Sequence, residues 1–268
     1  AFGEPLLREP ATRPEKKSPR AGRVFVVALA GLDREYSPPR ASELGLPLLH
    51  HFAKEAAHFP GYRTTTTSSQ GSIMSLLTGV GPRQHGVAEL DASLARDVAD
   101  LAETTQTKGV RAGMFTGVPT TFGVFGFDRG FELFDAVSPV SDLSAVEPLR
   151  RARLWIEGIS KEPSPWLTVV HLRGAHPPFD VTRDAARELG PPEYGGDLDP
   201  RRAALQLASI RARARPQTRR MPDEDWLRLA ALRKRALADQ DAALTGFFRF
   251  LRDRGLYNRI ERTIALFG

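Results

Sequence analysis

Cysteine is absent from the 268 residues. Its absence excludes disulfides, thiolate metal sites and a cysteine nucleophile, and leaves the redox compartment open. Long apolar runs are absent too: none approaches the roughly 20 residues of a membrane-spanning helix. The opening residues Ala1-Phe2-Gly3-Glu4-Pro5 carry neither an initiator methionine nor the apolar core of a signal peptide. The expectation is an interior piece of a longer parent that is periplasmic, extracellular or membrane-tethered. Aromatic residues are scarce at 8% and do not interleave with the basic stretches, which argues against a nucleic-acid partner.

What is present is enough for a core. Hydrophobic residues make up 41% of the chain and charged residues 26%, and the length suits one large α/β domain or two small ones. Residues 1–22, rich in Pro, Lys and Arg, read as a disordered basic tether, and residues 23–268 as one domain. The net charge of +6 is uneven. Up to Arg150 there are 16 Lys/Arg against 17 Asp/Glu; beyond it, 22 against 15. Between Arg201 and Arg235 stand 11 basic and 3 acidic residues. A basic stretch of this kind is commonly a solvated helical face, and it also suits anionic partners such as sulfated or phosphorylated glycans.

The hydrophobic pattern alternates strands and helices. Residues 24–30, Val-Phe-Val-Val-Ala-Leu-Ala, form a continuous apolar, β-branched run ending at Gly31, as in a central buried strand. Helices are expected at residues 44–57, with Leu48, Leu49, Phe52 and Ala56 on one face, and at 72–77, 97–108, 146–159 and 227–254, the last long and amphipathic. Strands are expected at 110–115, 166–172 and 262–267. Residues 180–222 read as an irregular excursion. The alternation implies a doubly wound, mostly parallel α/β sheet flanked by helices. Ligands bind such sheets beyond the carboxyl ends of the strands. Three loops there carry chemistry: after Ala30, around Ser69, and after Leu172.

The richest is the hydroxyl run Thr64-Thr65-Thr66-Thr67-Ser68-Ser69-Gln70-Gly71-Ser72-Ile73-Met74-Ser75. A hydroxyl at a helix N-terminus lies among unpaired N–H groups at the positive end of the dipole, where an anion is stabilised. Plain N-capping by Ser69 or Ser72 explains the same residues structurally. The second constellation is His171-Leu172-Arg173-Gly174-Ala175-His176-Pro177-Pro178-Phe179, directly after a buried strand. Two histidines there can orient an oxyanion or protonate a leaving group, or simply decorate a capped turn.

The order of these motifs resembles the sulfatases of the alkaline phosphatase superfamily. The resemblance rests on Ser69-Gln70-Gly71-Ser72-Ile73-Met74-Ser75-Leu76-Leu77-Thr78-Gly79, on Pro82-Arg83-Gln84-His85-Gly86-Val87, and on Gly126-Phe127-Asp128-Arg129-Gly130-Phe131. It rests further on His171 to Phe179 and on the helix ending at Gly255-Leu256-Tyr257. It implies a hydrolase of sulfuric esters that uses Ca²⁺ and acts on an anionic small molecule or a sulfated or phosphorylated glycan. By the resemblance, Ser69 takes the nucleophile position, His176 the oxyanion or leaving-group histidine, and His171 its supporting neighbour. Ser72, Gln70 and Arg173 are the expected substrate contacts, and His85 is expected to support structure.

Four departures accompany the resemblance. The metal-binding aspartates of the first strand fall on Ala30 and Gly31, with Asp33 displaced nearby. The proline and arginine of the nucleophile segment fall on Gly71 and Ile73. The lysine and histidine after the third strand have no counterpart around Gly117-Val118-Pro119. The chain stops at Phe267-Gly268, where the Asp-His-Gly or Asp-Asn-Gly metal ligands would begin, so a second segment C-terminal to it is expected. The expected outcome is weak or lost hydrolysis. Two alternatives stand beside it: a non-catalytic copy that binds an anionic ligand or a partner domain, and a phosphotransferase using a threonine of the 64–67 run.

Overall fold

The computed structural model describes residues 22–32, 40–57, 59, 61–89, 91–137, 146–162, 164–179, 181, 183–191, 193–200, 202–203, 205–208, 222–257 and 262–267. The expected tether lies almost wholly outside the described residues, as do Asp33 and most of the basic stretch at 209–221.

Five strands form one parallel sheet: β1 (Arg23–Leu29), β2 (Arg111–Thr116), β3 (Leu133–Ala136), β4 (Trp166–Leu172) and β5 (Arg262–Phe267), in the order β3-β2-β4-β1-β5. The central pair runs Arg23 opposite Trp166 through Leu29 opposite Leu172. β4 is buried at every position, including the polar Thr168 and His171, as a central strand covered on both faces is. The helices are α1 (Pro47–Glu55), α2 (Ser69–Thr78), α3 (Pro82–His85), α4 (Leu101–Gln106), α5 (Glu147–Ile159), α6 (Arg183–Glu188) and α7 (Asp223–Asp253). Among the described residues no helix is long and apolar enough to cross a membrane.

Period-two alternation sends the strand side chains into two cores. Phe25, Val27, Leu29, Trp166, Val170 and Leu172 pack with α1, α5 and α7. Val26, Ala28, Leu167 and Val169 face the other way, with Met74 and Leu77 of α2 and Ala102 of α4. His171 has the parity of Leu167 and Val169, so it points to the α2 side. On the first face Phe25 meets the Trp166 ring edge-on at 4.8 Å, a favoured aromatic geometry.

Several boundaries differ from the sequence reading. The second helix starts at Ser69, three residues before the expected Ser72, because the chain turns at Ser68 and Ser72 N–H already bonds the Ser68 carbonyl at 2.9 Å. The fourth begins at Leu101 rather than Asp97. There Asp100 accepts from Glu103 N–H at 2.8 Å while the Glu103 carboxylate accepts from Asp100 N–H at 3.1 Å, a reciprocal cap. β3 was not expected at all. α6 breaks into the supposed irregular stretch at 180–222.

Candidate functional site

The carboxyl ends of β1 and β4, the 62–67 loop and the first turns of α2 enclose a cavity of about 220 Å³. Its wall includes Ala30 and Gly31 from the β1 turn, Thr64, Thr66 and Thr67, Ser69, Ser72 and Ile73 from α2, and His171 from β4. The structure therefore brings together Ser69, Ser72, His171 and the Ala30-Gly31 pair. Gln70, Arg173 and His176 are not on that wall. Gln70 is fully buried behind α2, where its side-chain amide donates to the Ala92 carbonyl at 2.8 Å. Arg173 is buried just past the end of β4. His176 is exposed, and its Nδ1 lies 2.5 Å from the Pro177 carbonyl, beside a cis Pro177-Pro178 bond.

Local sequence explains how the cradle is held. Ser68, in extended conformation, precedes α2 without giving it a side-chain cap. Thr66 holds the turn instead: its Oγ1 accepts from Ser68 N–H at 3.2 Å, and its carbonyl accepts from the Ser72 hydroxyl at 2.8 Å. Gly71 permits this closeness, because a Cβ there would stand 2.7 Å from the Thr66 methyl and 3.0 Å from the Val87 carbonyl oxygen. Among the described residues the Ser69 hydroxyl has no hydrogen-bond partner. Ser69, the first residue of α2, thus brings a neutral hydroxyl to the wall at the positive end of the helix.

His171 is 1% exposed. Burial, and then the neighbouring His176, lower its pKa to about 3, so the ring is neutral near pH 7. Its Nδ1 lies 3.2 Å from Thr121 Oγ1, and Thr121 donates to the Val118 carbonyl at 2.8 Å. With the threonine proton so placed, Nδ1 carries the imidazole proton and Nε2 keeps a lone pair. Thr116 Oγ1, 2.6 Å from Thr121 Oγ1, extends the chain, which sequence reading missed. The Pro119-Thr120-Thr121 turn carries no motif, and only the sheet register brings Thr116 opposite His171.

His85 has a different role. Val87 N–H donates to its Nδ1 at 3.0 Å, so the neutral ring is protonated at Nε2, which lies 3.0 Å from Ser75 Oγ. Ser75 also accepts from the Thr65 hydroxyl at 2.8 Å. An imidazole donating to a serine cannot take that serine's proton; His85 braces the corner between α2 and α3.

The family resemblance implies Ca²⁺, a hard cation that takes six to eight oxygens, several from carboxylates. The residues present do not fit it. Where carboxylates are expected, Ala30 O accepts from Ala175 N–H at 2.9 Å, and Gly31 sits at φ +79° with an added Cβ only 3.2 Å from the Ala175 carbonyl carbon. Ile73, an apolar side chain of the second core, holds the position of the expected arginine. Among the described residues no three His, Asp or Glu side chains gather as a metal would require.

A model of the sulfatase family matches residues 35–260. No curated protein matches the sequence significantly. Solved structures share the fold. The phosphonate monoester hydrolase of Agrobacterium radiobacter superposes with a TM-score of 0.67 at 16% identity, over 91% of this chain and 61% of that one. The C-terminal periplasmic domain of EptC from Escherichia coli, in complex with zinc, gives 0.58 at 13%, over 93% and 63%. A protein in complex with its substrate D-glucosamine-2-N,6-O-disulfate gives 0.65 at 12%, over 92% and 65%. The chain thus spans less than two thirds of the length of each.

Proposed function

Because the chain belongs to the sulfatase family, we propose that its first cavity is a sulfate- or phosphate-ester cradle in which hydrolysis by residues 1–268 is weak or lost. The observation that carries this reading is the make-up of the wall. Ser69 brings an unengaged hydroxyl to the N-terminal end of α2, while Ala30, Gly31 and Ile73 stand where charged groups would be needed. Helix N-termini bind anions without help from a cation. Accelerating ester cleavage asks more: a serine hydroxyl needs a base or metal to lower its pKa, and the departing oxygen needs an acid. His171 offers one lone pair and no proton to give. Ser69 is the nucleophile position of this reading, and His176, which is not on the cavity wall, would act only after swinging toward it.

The test is turnover of a chromogenic aryl sulfate with added Ca²⁺. The expected rate equals that of Ser69→Ala. A clear rate in the wild-type chain that vanishes in Ser69→Ala overturns the loss of activity and restores the enzyme. The phosphotransferase reading is favoured by one observation, that Thr64 and Thr67 line the same cavity. A covalent phospho-adduct on either threonine, mapped by mass spectrometry after incubation with an aryl phosphate, would establish it; none is expected.

A further inference from the structure

A second cavity, of about 620 Å³, lies between the chain leaving β4 and α7, and shares no wall residue with the first. Its wall joins Val181 and Ala186, then Tyr194 and residues 196–200, with Arg187, Arg202 and Arg228. Arg228 is the unusual member. It is only 7% exposed, yet among the described residues it meets no carboxylate. Its guanidinium donates once, from Nη1 to the Leu189 carbonyl, and its buried Nε has no partner. A buried guanidinium normally has an oxyanion opposite it, because an unpaired buried charge is costly.

The surroundings hold Arg228 in place: Asp197 and Asp199 share the cavity wall and Asp225 lies beyond Tyr194, but among the described residues none of them pairs with the guanidinium. The cation stacks 4.9 Å above the Tyr194 ring. Tyr194 is itself fixed at both ends of its hydroxyl, donating to Asp225 Oδ1 at 2.5 Å and accepting from Leu198 N–H at 3.0 Å. Burial, and then that carboxylate, push the tyrosine up to about 12, so it stays protonated and keeps Asp225 engaged. Asp199 Oδ1 is likewise taken by Arg202 N–H at 3.0 Å. The apolar walls of Val181, Ala186, Leu198 and Pro200 leave room far beyond that of a bare ion.

We propose that this cavity is a second binding site, for an organic oxyanion: a sulfate, sulfonate, phosphate or carboxylate group that pairs with Arg228 while its carbon body covers the apolar wall. The site is independent of the first cavity and does not rest on its reading.

Calorimetric titration of the full chain with benzenesulfonate, whose sulfur is bound to carbon and which has no ester bond to cleave, tests it against inorganic sulfate at matched ionic strength. Saturable one-to-one binding is expected, at least about tenfold tighter for benzenesulfonate than for sulfate, and weakened at least about tenfold in Arg228→Met. Ser69→Ala should bind benzenesulfonate as the wild type does. The rim double variant Arg187→Gln/Arg202→Gln, altered only at exposed positions, should bind about threefold or more weakly and gives the reading if Arg228→Met fails to fold. No saturable binding overturns the proposal, as does equal affinity for the two anions. Binding lost in Ser69→Ala but kept in Arg228→Met assigns the anion to the first cavity and overturns it too.

Discussion

At Gly31 and Gly174 two chain segments approach more closely than side chains allow. A Cβ at Gly31 would lie 3.2 Å from the Ala175 carbonyl carbon; one at Gly174 would lie 1.9 Å from the Ala30 carbonyl oxygen. Gly79, also at positive φ, has nothing within 4 Å of its missing Cβ. Alanine substitutions should therefore form a graded series. Gly79→Ala should cost about 1 kcal/mol for its left-handed backbone alone. Gly31→Ala should cost about 1 kcal/mol more for the contact, and Gly174→Ala several kcal/mol, since backbone must move. Denaturant unfolding measures all three; equal costs at Gly79 and Gly31 would refute the packing argument. The same strain means that Gly31→Asp should not create a Ca²⁺ site, so millimolar calcium should leave its melting temperature unchanged.

His171 makes a residue-scale prediction about acid. Its folded pKa is lowered from 6.5 to about 3, first by burial. The neutral form is thus the one that fits, and its contribution is complete above pH 6.5 and is lost as the pH falls toward 3. The unfolded chain takes up this proton first, so stability should fall by up to about 1.4 kcal/mol per pH unit below 6.5 on account of this group. His171→Gln should show a shallower loss between pH 6.5 and 4 in denaturant titrations. A slope identical to wild type would place the proton elsewhere.

At the scale of elements, the sequence announces long strands and amphipathic helices well, and caps and short strands poorly. β4 and β5 fall where their apolar runs put them. α4 starts later than its periodicity suggests because Asp100, not Asp97, makes the reciprocal bonds with Glu103. β3 escaped notice because it has four residues, none fully buried, and no β-branched run; its place comes from pairing with β2 rather than from local preference. The α4 cap also titrates. Asp100 is raised to about 6, chiefly by burial against the opposing pull of Glu103 N–H, and its Oδ2 has no partner among the described residues. A raised carboxyl contributes stability that is present below pH 3.8 and lost as the pH rises through about 6. Asp100→Asn keeps the acceptor for Glu103 N–H and carries no charge. Its stability should improve relative to wild type between pH 4 and 7.5, by on the order of 1 kcal/mol, in paired thermal melts. A constant difference across that range would show that Asp100 is already ionised without cost.

At the scale of the whole molecule, the first cavity draws on the turn after β1, the loop into α2 and the end of β4, segments that a doubly wound sheet gathers at one rim, while the loop after Leu172 puts no residue on its wall. What was not legible is what locks the rim. α7 reads as one long amphipathic helix, yet two adjacent polar residues on its buried face tie down the elements around it. Asp241 accepts from Leu48 N–H and Leu49 N–H at 3.0 Å each, capping α1 from 192 residues away. Gln240 clasps Gly174, donating to its carbonyl at 2.9 Å and accepting from its N–H at 3.0 Å. Helical periodicity marks such residues only as exceptions to an apolar stripe, and their partners depend on the packing of the finished fold.

Gln240 allows the two roles of that clasp to be separated. Both partners are buried, so each unmade bond leaves a polar group without water. Gln240→Glu is nearly isosteric and retains an acceptor for Gly174 N–H, but it sets a carboxylate oxygen against the Gly174 carbonyl in place of a donor. Gln240→Met keeps the length and removes both bonds. If the clasp acts only through stability, both variants should lose about 2–4 kcal/mol and change nothing else. If it also sets the loop that carries Ala175 against the Ala30-Gly31 turn, amide exchange at Gly174 and Ala175 should quicken well before global unfolding. Ala175 N–H bonds Ala30 O at 2.9 Å, so the loosening would reach the wall of the first cavity. Exchange measured under native conditions decides between them: local opening at these two amides, with α7 still protected, is the expected result. Uniform exchange through the global transition would reduce Gln240 to an ordinary core contact.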